Sequence, residues 1–272
     1  MSLPLVLVAE DLIPHLQDDN LLILDTCNTD NYVAGHIPGA IHIAPSELQS
    51  GAKPGVGRIP SRAALSALFS RVGLTPDKHV IAYDDEGGGW AGRLIWTLDA
   101  IGHTNYSFLD GGLNDWTAKG LALETRTLSS PSNYSVSELN TAVIAETDDI
   151  IAQLGQSDFA IWDARSTAEY TGEKSFAAKA GHIPGAAHLE WTELMDKEHN
   201  LRLLPLEVIQ TMLTERGLTP DKNIVTHCQS HHRSGLTYLV AKILGYPSIK
   251  GYHGSWSEWG NLDHTPFDTG NS

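Results

Sequence analysis

"GHIPGA" at residues 35–40, and the same six letters again at 181–186, decide how this chain is read. A second exact repeat, "GLTPDK", stands at 73–78 and 217–222. The offsets are 181 − 35 = 146 and 217 − 73 = 144, so both pairs belong to one register. Weaker matches fall into the same register. "LLILDT" (21–26) pairs with "FAIWDA" (159–164), "HVIAYDD" (79–85) with "NIVTHCQ" (223–229), and "LDGGLNDW" (109–116) with "YHGSWSEW" (252–259). A period this long is not a solenoid; it has the size of an ordinary domain. The expectation is a duplicated domain, residues 1–128 and 142–272. The polar, Ser-rich stretch 124–138 carries the connection, and the linker is placed at 129–141.

Each copy alternates apolar runs of strand length with helix-like patterns. "LLILD" and "FAIWD" read as strands that end in an aspartate, and "HVIAY" and "NIVTH" as buried strands. In the last helix of the second copy, Leu236, Leu239, Val240, Ile243 and Leu244 follow i, i+3, i+4, i+7, i+8 spacing. The alternation predicts the α/β class: two tandem domains, each a central, mainly parallel sheet flanked by helices.

Composition narrows the function. Of 272 residues, 41% are apolar, which is enough for real cores. No run is long and apolar enough to span a bilayer, and the N-terminus lacks a basic leader. A formal charge of −15 repels nucleic acid and anionic membranes, so neither is expected as a partner. Two cysteines are too few for a disulfide scaffold, which points to a reducing cytoplasm.

One of the two is set apart by its neighbours. Cys228 opens "CQSHHRS" (228–234), between a strand and a helix. Ligands bind at such points in open α/β sheets. The helix N-terminus offers unpaired N–H groups, a curled loop adds more, and His231, His232 and Arg233 bring positive charge. Surroundings of this kind lower a thiol from about 8.5 to about 3.5–7.5, and the thiolate is the nucleophile. In the first copy the matching residue is Asp84, within "DDEGGGWAGR" (84–93), where Asp85 and Glu86 would repel an anion. The first half is expected to keep the fold without the chemistry. Cys27 has no cationic loop behind it and reads as structural. His36 and His182 occur in both copies, so they are expected to tie down the turns, with Trp116 and Trp259 as packing residues. A metal site at Cys228, His231 and His232 is disfavoured, because adjacent residues wrap a tetrahedral ion poorly.

The duplicated "GHIPGA", the strand-end aspartates and the lone cysteine loop in the second copy resemble the rhodanese family of sulfurtransferases, over nearly the whole chain. The loop "CQSHHRS" is similar to that of bacterial thiosulfate sulfurtransferases. The resemblance implies that Cys228 takes sulfane sulfur from a donor as a persulfide and yields it to cyanide or another thiophilic acceptor, in a ping-pong cycle. It implies no metal or organic cofactor. Arg165, the arginine of "D-x-R", would bind the donor's anionic end, and Trp191 would wall the pocket. The loop residues Gln229, Ser230, His231, His232 and Arg233 would contact a small anionic donor, for which the charge favours thiosulfate. A monomer is expected. The alternatives are a 3-mercaptopyruvate sulfurtransferase and a sulfur carrier or binding module without free turnover. A phosphatase-type loop needs C-x5-R, whereas Cys228 to Arg233 is C-x4-R.

Overall fold

A computed structural model describes residues 3–270. In chain order the strands are β1 (Val6–Leu7), β2 (Leu21–Asp25), β3 (Ile41–His42), β4 (His79–Tyr83), β5 (Tyr106–Leu109), β6 (Ile144–Ala145), β7 (Phe159–Asp163), β8 (Ala187–His188), β9 (Met195–Asp196), β10 (Arg202–Leu203), β11 (Asn223–His227) and β12 (Ile249–Tyr252). The helices are α1 (Ala9–Leu12), α2 (Thr29–Ala34), α3 (Arg62–Arg71), α4 (Gly89–Ala100), α5 (Gly112–Ala118), α6 (Thr147–Gln153), α7 (Thr167–Thr171), α8 (Leu206–Glu215), α9 (Arg233–Ile243) and α10 (Ser255–Trp259). Among the described residues no helix is long and apolar enough to cross a membrane.

Two parallel five-stranded sheets result, ordered β1-β5-β4-β2-β3 and β6-β12-β11-β7-β8. Their central strands are covered on both faces and so read as continuous apolar runs; all five residues of β4 are buried. The α/β class and the two flanked parallel sheets are as the sequence predicts.

The chain divides into two compact units along unexpected lines. One consists of the chain up to Leu48, Pro60–Asn140 and Met195–Leu203; the other holds Gln49–Ile59, Thr141–Leu194 and the chain from Leu204 onward. Each repeat thus contributes a short segment, at corresponding positions, to the unit built mainly from the other. The Ser-rich stretch is also no free tether. Ser132 Oγ donates to the Leu74 carbonyl, Tyr134 N–H to Ser70 Oγ and Val136 N–H to Ser66 Oγ, which fastens it along α3 and its exit.

The repeated hexapeptide is a turn locked by aromatic stacking. Ala40 N–H donates to the Ile37 carbonyl at 3.0 Å, and Ala186 N–H to that of Ile183 at 3.0 Å. Proline at the second position and glycine at positive φ at the third (Gly39 +87°, Gly185 +75°) define a type II turn. His36 stacks on Tyr32 at 3.9 Å and His42 on the same ring at 4.7 Å; Tyr170, His182 and His188 repeat this at 3.8 and 4.7 Å. His36 Nδ1 meets the Tyr32 carbonyl and His182 Nδ1 that of Tyr170, each at 2.8 Å. Gly181 is obligatory on space alone, since a Cβ there would lie 1.9 Å from the Asp268 carbonyl oxygen. Trp116 and Trp259 are buried, and their indole N–H groups donate to the Ala122 and Pro266 carbonyls.

Candidate functional site

β11 delivers Cys228 to the C-terminal edge of the second sheet, and α9 begins five residues later. The intervening loop curls because His231 adopts φ +55°, a left-handed conformation uncommon outside glycine. His231 is itself fully buried, with Nδ1 2.8 Å from Ser234 Oγ, so it shapes the loop from inside. The N–H groups of Trp256 and Ser257, at the start of α10, donate to the carbonyls of Cys228 and Gln229 at 2.9 Å each. A trans peptide's N–H points opposite its carbonyl, so the N–H groups of Gln229 and Ser230 face away from α10, as an anion nest requires.

Cys228 is 1% exposed. Burial alone would raise its thiol, yet the thiol lies below its ordinary value. The charge of Arg233, the hydroxyl and N–H of Ser234, and His232 together outweigh the burial. Arg233 is held in turn. Its two terminal nitrogens donate to the two oxygens of Glu169 at 2.7 and 2.8 Å, and Glu169 also closes the capping box of α7 through Ser166. His232, half-buried, lies with its ring 5.6 Å from that of Trp191. Gln229 and Ser230 are half-buried, and Gln229 Oε1 has no hydrogen-bond partner among the described residues. Cys228, Gln229, Ser230, His232, Arg233 and Trp191 are therefore gathered at one place. Among the described residues no cluster of three or more His, Cys, Asp or Glu side chains is placed to hold a metal ion.

Arg165 departs from expectation. It is 1% exposed, and its Nε and one terminal nitrogen are spent on Asp163 (2.9, 3.1 and 2.6 Å) and on the Gly181 carbonyl (2.7 Å). Its guanidinium also lies 4.4 Å from the centre of the Trp256 ring. Asp163, fully buried, is nevertheless held well below the usual carboxylate range: burial opposes ionisation, and Arg165 and His227 overcome it. Arg165 thus ties the end of β7 to the Gly181 turn, with Nε and one terminal nitrogen already engaged. The signal was present in the sequence, because a carboxylate and a guanidinium two residues apart can meet locally. Glu169 and Ser234 were missed; the box "STAE" (166–169) marks Glu169 as a cap but says nothing of Arg233, 64 residues away.

The first unit shows what the same loop does without a thiol. Asp84 is 2% exposed and accepts from four backbone N–H groups: Glu86 (3.1 Å) and Gly88 (2.8 Å) on one oxygen, Trp90 (2.9 Å) and Ala91 (3.0 Å) on the other. The cradle holds the protein's own carboxyl group. Burial, reinforced by Glu86, raises that carboxyl to about 6 even though the amides pull it down. Cys27 is buried, and burial with the charge of Asp25 pushes its thiol far up, away from the thiolate form.

The model of the rhodanese-like domain matches twice, at residues 8–119 and 146–262. The chain belongs to the rhodanese family. A curated relative, the thiosulfate sulfurtransferase of Azotobacter vinelandii, is 50% identical over 268 residues, covering 98% of both chains. The thiosulfate sulfurtransferase of Pseudomonas aeruginosa is 47% identical over 267 residues, again with 98% of each covered. Among solved structures, an anaerobic ergothioneine biosynthesis enzyme from Chlorobium limicola superposes with a TM-score of 0.87 at 21% identity. That match covers 98% of this chain and 71% of the other, and it speaks for the fold alone.

Proposed function

We propose that this rhodanese is a thiosulfate sulfurtransferase working through a persulfide on Cys228. The observation that carries the reading is a buried thiol whose ionisation is favoured by Arg233, Ser234 and His232 at the mouth of an α/β sheet. The Cys228 thiolate attacks the outer sulfur of thiosulfate. The sulfur–sulfur bond of the donor breaks, and sulfite leaves with the electron pair. The charge is then a persulfide anion, Cys–S–S⁻, stabilised by the inward-facing amides. Cyanide or a thiolate acceptor takes the outer sulfur, and the Cys228 thiolate returns. His232 and Arg233 attract the donor's sulfonate, Gln229 and Ser230 line its path, and Trp191 walls the pocket beside His232. His231 acts from within by holding the loop's shape, and Arg165 holds the end of β7 to the Gly181 turn. The first unit, with Asp84 in its cradle, is catalytically silent. A monomer in a reducing cytoplasm, free of nucleic acid and membrane, fits the charge and the two unpaired cysteines.

The deciding experiment combines intact mass with two variants. Incubation with thiosulfate should add one sulfur atom to the wild type, and cyanide should remove it. Cys228→Ser should lose both the adduct and thiocyanate formation, while Cys27→Ser keeps both. Turnover by Cys228→Ser, or an adduct on Cys27, would end this reading.

A further inference from the structure

The segment Gln49–Ile59 comes from the first repeat yet belongs to the unit that carries Cys228. It grips the loop at Ser230. Gln49 Nε2 donates to the Ser230 carbonyl at 2.9 Å and lies 3.3 Å from Ser230 Oγ. Gly57 packs against the same group so closely that a Cβ would lie 2.1 Å from the Ser230 carbonyl oxygen. The segment is anchored behind this contact. Arg58 bridges Glu146 and Glu258 at 2.7 Å each, and Ile59 N–H donates to His253 Nδ1 at 3.1 Å. Glu258 lies in α10, the helix that already holds the carbonyls of Cys228 and Gln229. Three successive loop carbonyls are therefore drawn outward, two by α10 and the third by Gln49.

The other unit supplies an internal control. Its borrowed segment, Met195–Leu203, packs on the corresponding loop: a Cβ on Gly87 would meet Met195 Sδ at 2.5 Å and Leu201 Cβ at 3.3 Å. "SELQ" (46–49) aligns with "TELM" (192–195), so Met195 takes the place of Gln49. A donor stands at this position where the loop holds a thiol, and an apolar side chain where it holds Asp84. We infer that Gln49, with Gly57 beneath it, is a positioning residue for sulfur transfer: by holding the Ser230 carbonyl outward it keeps the loop's amides aimed at the Cys228 sulfur. The inference deepens the proposed function and rests on it.

The test is Gln49→Met, which puts the first unit's arrangement into the second, and Gly57→Ala, which pushes on Ser230 from below. Full-length proteins are first stripped of persulfide with cyanide. The rate of Cys228 alkylation by iodoacetamide is then followed against pH, which needs no sulfur donor, and thiosulfate:cyanide turnover is measured beside it. Gln49→Met should move the alkylation profile to higher pH and lower kcat about tenfold, with KM for thiosulfate changed less than threefold. Gly57→Ala should do the same if it folds; if it does not, Gln49→Met decides. An alkylation profile and kcat that superimpose on wild type overturn the inference, including when Tm falls, because the segment would then only pack. Absence of thiosulfate turnover in the wild type would instead sink the donor assignment, leaving the alkylation profile to judge Gln49.

Discussion

Replacing Arg233 with methionine keeps the length of the side chain and removes its charge, and the loss is felt at both Glu169 and Cys228. Glu169 loses both guanidinium hydrogen bonds, 2.7 and 2.8 Å long, while only 4% exposed. Removing one partner of a buried pair costs about 3–5 kcal/mol. Arg233 is only partly buried, and Ser166 still donates to the carboxylate through its hydroxyl at 2.8 Å, so the low end applies. A loss of about 3 kcal/mol lowers Tm by roughly 10 °C in a domain of this size. At Cys228 the strongest influence opposing burial disappears, so the thiol moves from below its ordinary value towards the value burial alone would set. With the transition-state charge uncompensated, kcat/KM should fall about 100-fold. The two consequences separate in the double variant Arg233→Met with Glu169→Gln. No unpaired carboxylate remains there, so most of the lost stability should return while activity does not. Differential scanning calorimetry and the pH dependence of Cys228 alkylation read the two effects independently. If Arg233→Met alkylates at pH 7 as fast as wild type, the electrostatic account of the thiolate is wrong.

Arg165→Met should act on stability before it acts on substrate. It leaves Asp163, which is fully buried, without its main partner, at a cost of about 3–5 kcal/mol, and KM for thiosulfate in the folded fraction should stay within about threefold. A tenfold rise in KM at undiminished Tm would restore Arg165 as the donor anchor. Asp84 gives a pH signature. Its folded-state value of about 6 stands above its ordinary 3.8, so its contribution is complete below pH 3.8 and is lost as the pH rises towards 6. Relative to Asp84→Asn, the wild type should lose about 2–3 kcal/mol between pH 4 and pH 6.5, measured by urea unfolding. A wild type that gains on the variant over that interval would show that the amide cradle, not burial, governs this carboxyl.

The duplication, the sheet class and the roles of His36 and His182 were legible because each rests on local signals: a type II turn needs Pro-Gly, and a buried parallel strand needs an apolar run. Cys228 was legible through its neighbours, since His232, Arg233 and Ser234 come within six positions and the helix start is local too. The pairing of Arg165 with Asp163 is local as well, since the two stand two residues apart at the exit of β7, but the family likeness speaks only of a ligand. Gln49 and Glu169 could not be read at all. Their partners lie 181 and 64 residues away, and nothing local to either residue records the contact.

The carboxylate of Asp84 has a practical corollary for anyone wanting an inert version of this enzyme. A ring of inward-pointing amides is a socket, and an empty socket leaves hydrogen-bond donors stranded out of water, each at about 1–3 kcal/mol. Truncating Cys228 to alanine would empty it, so such a mutant could lose activity through a collapsed loop as easily as through a missing nucleophile. The chain already carries its own plug for this opening, four amides deep. Cys228→Asp copies that plug, and it is the substitution that silences the chemistry while leaving the architecture occupied.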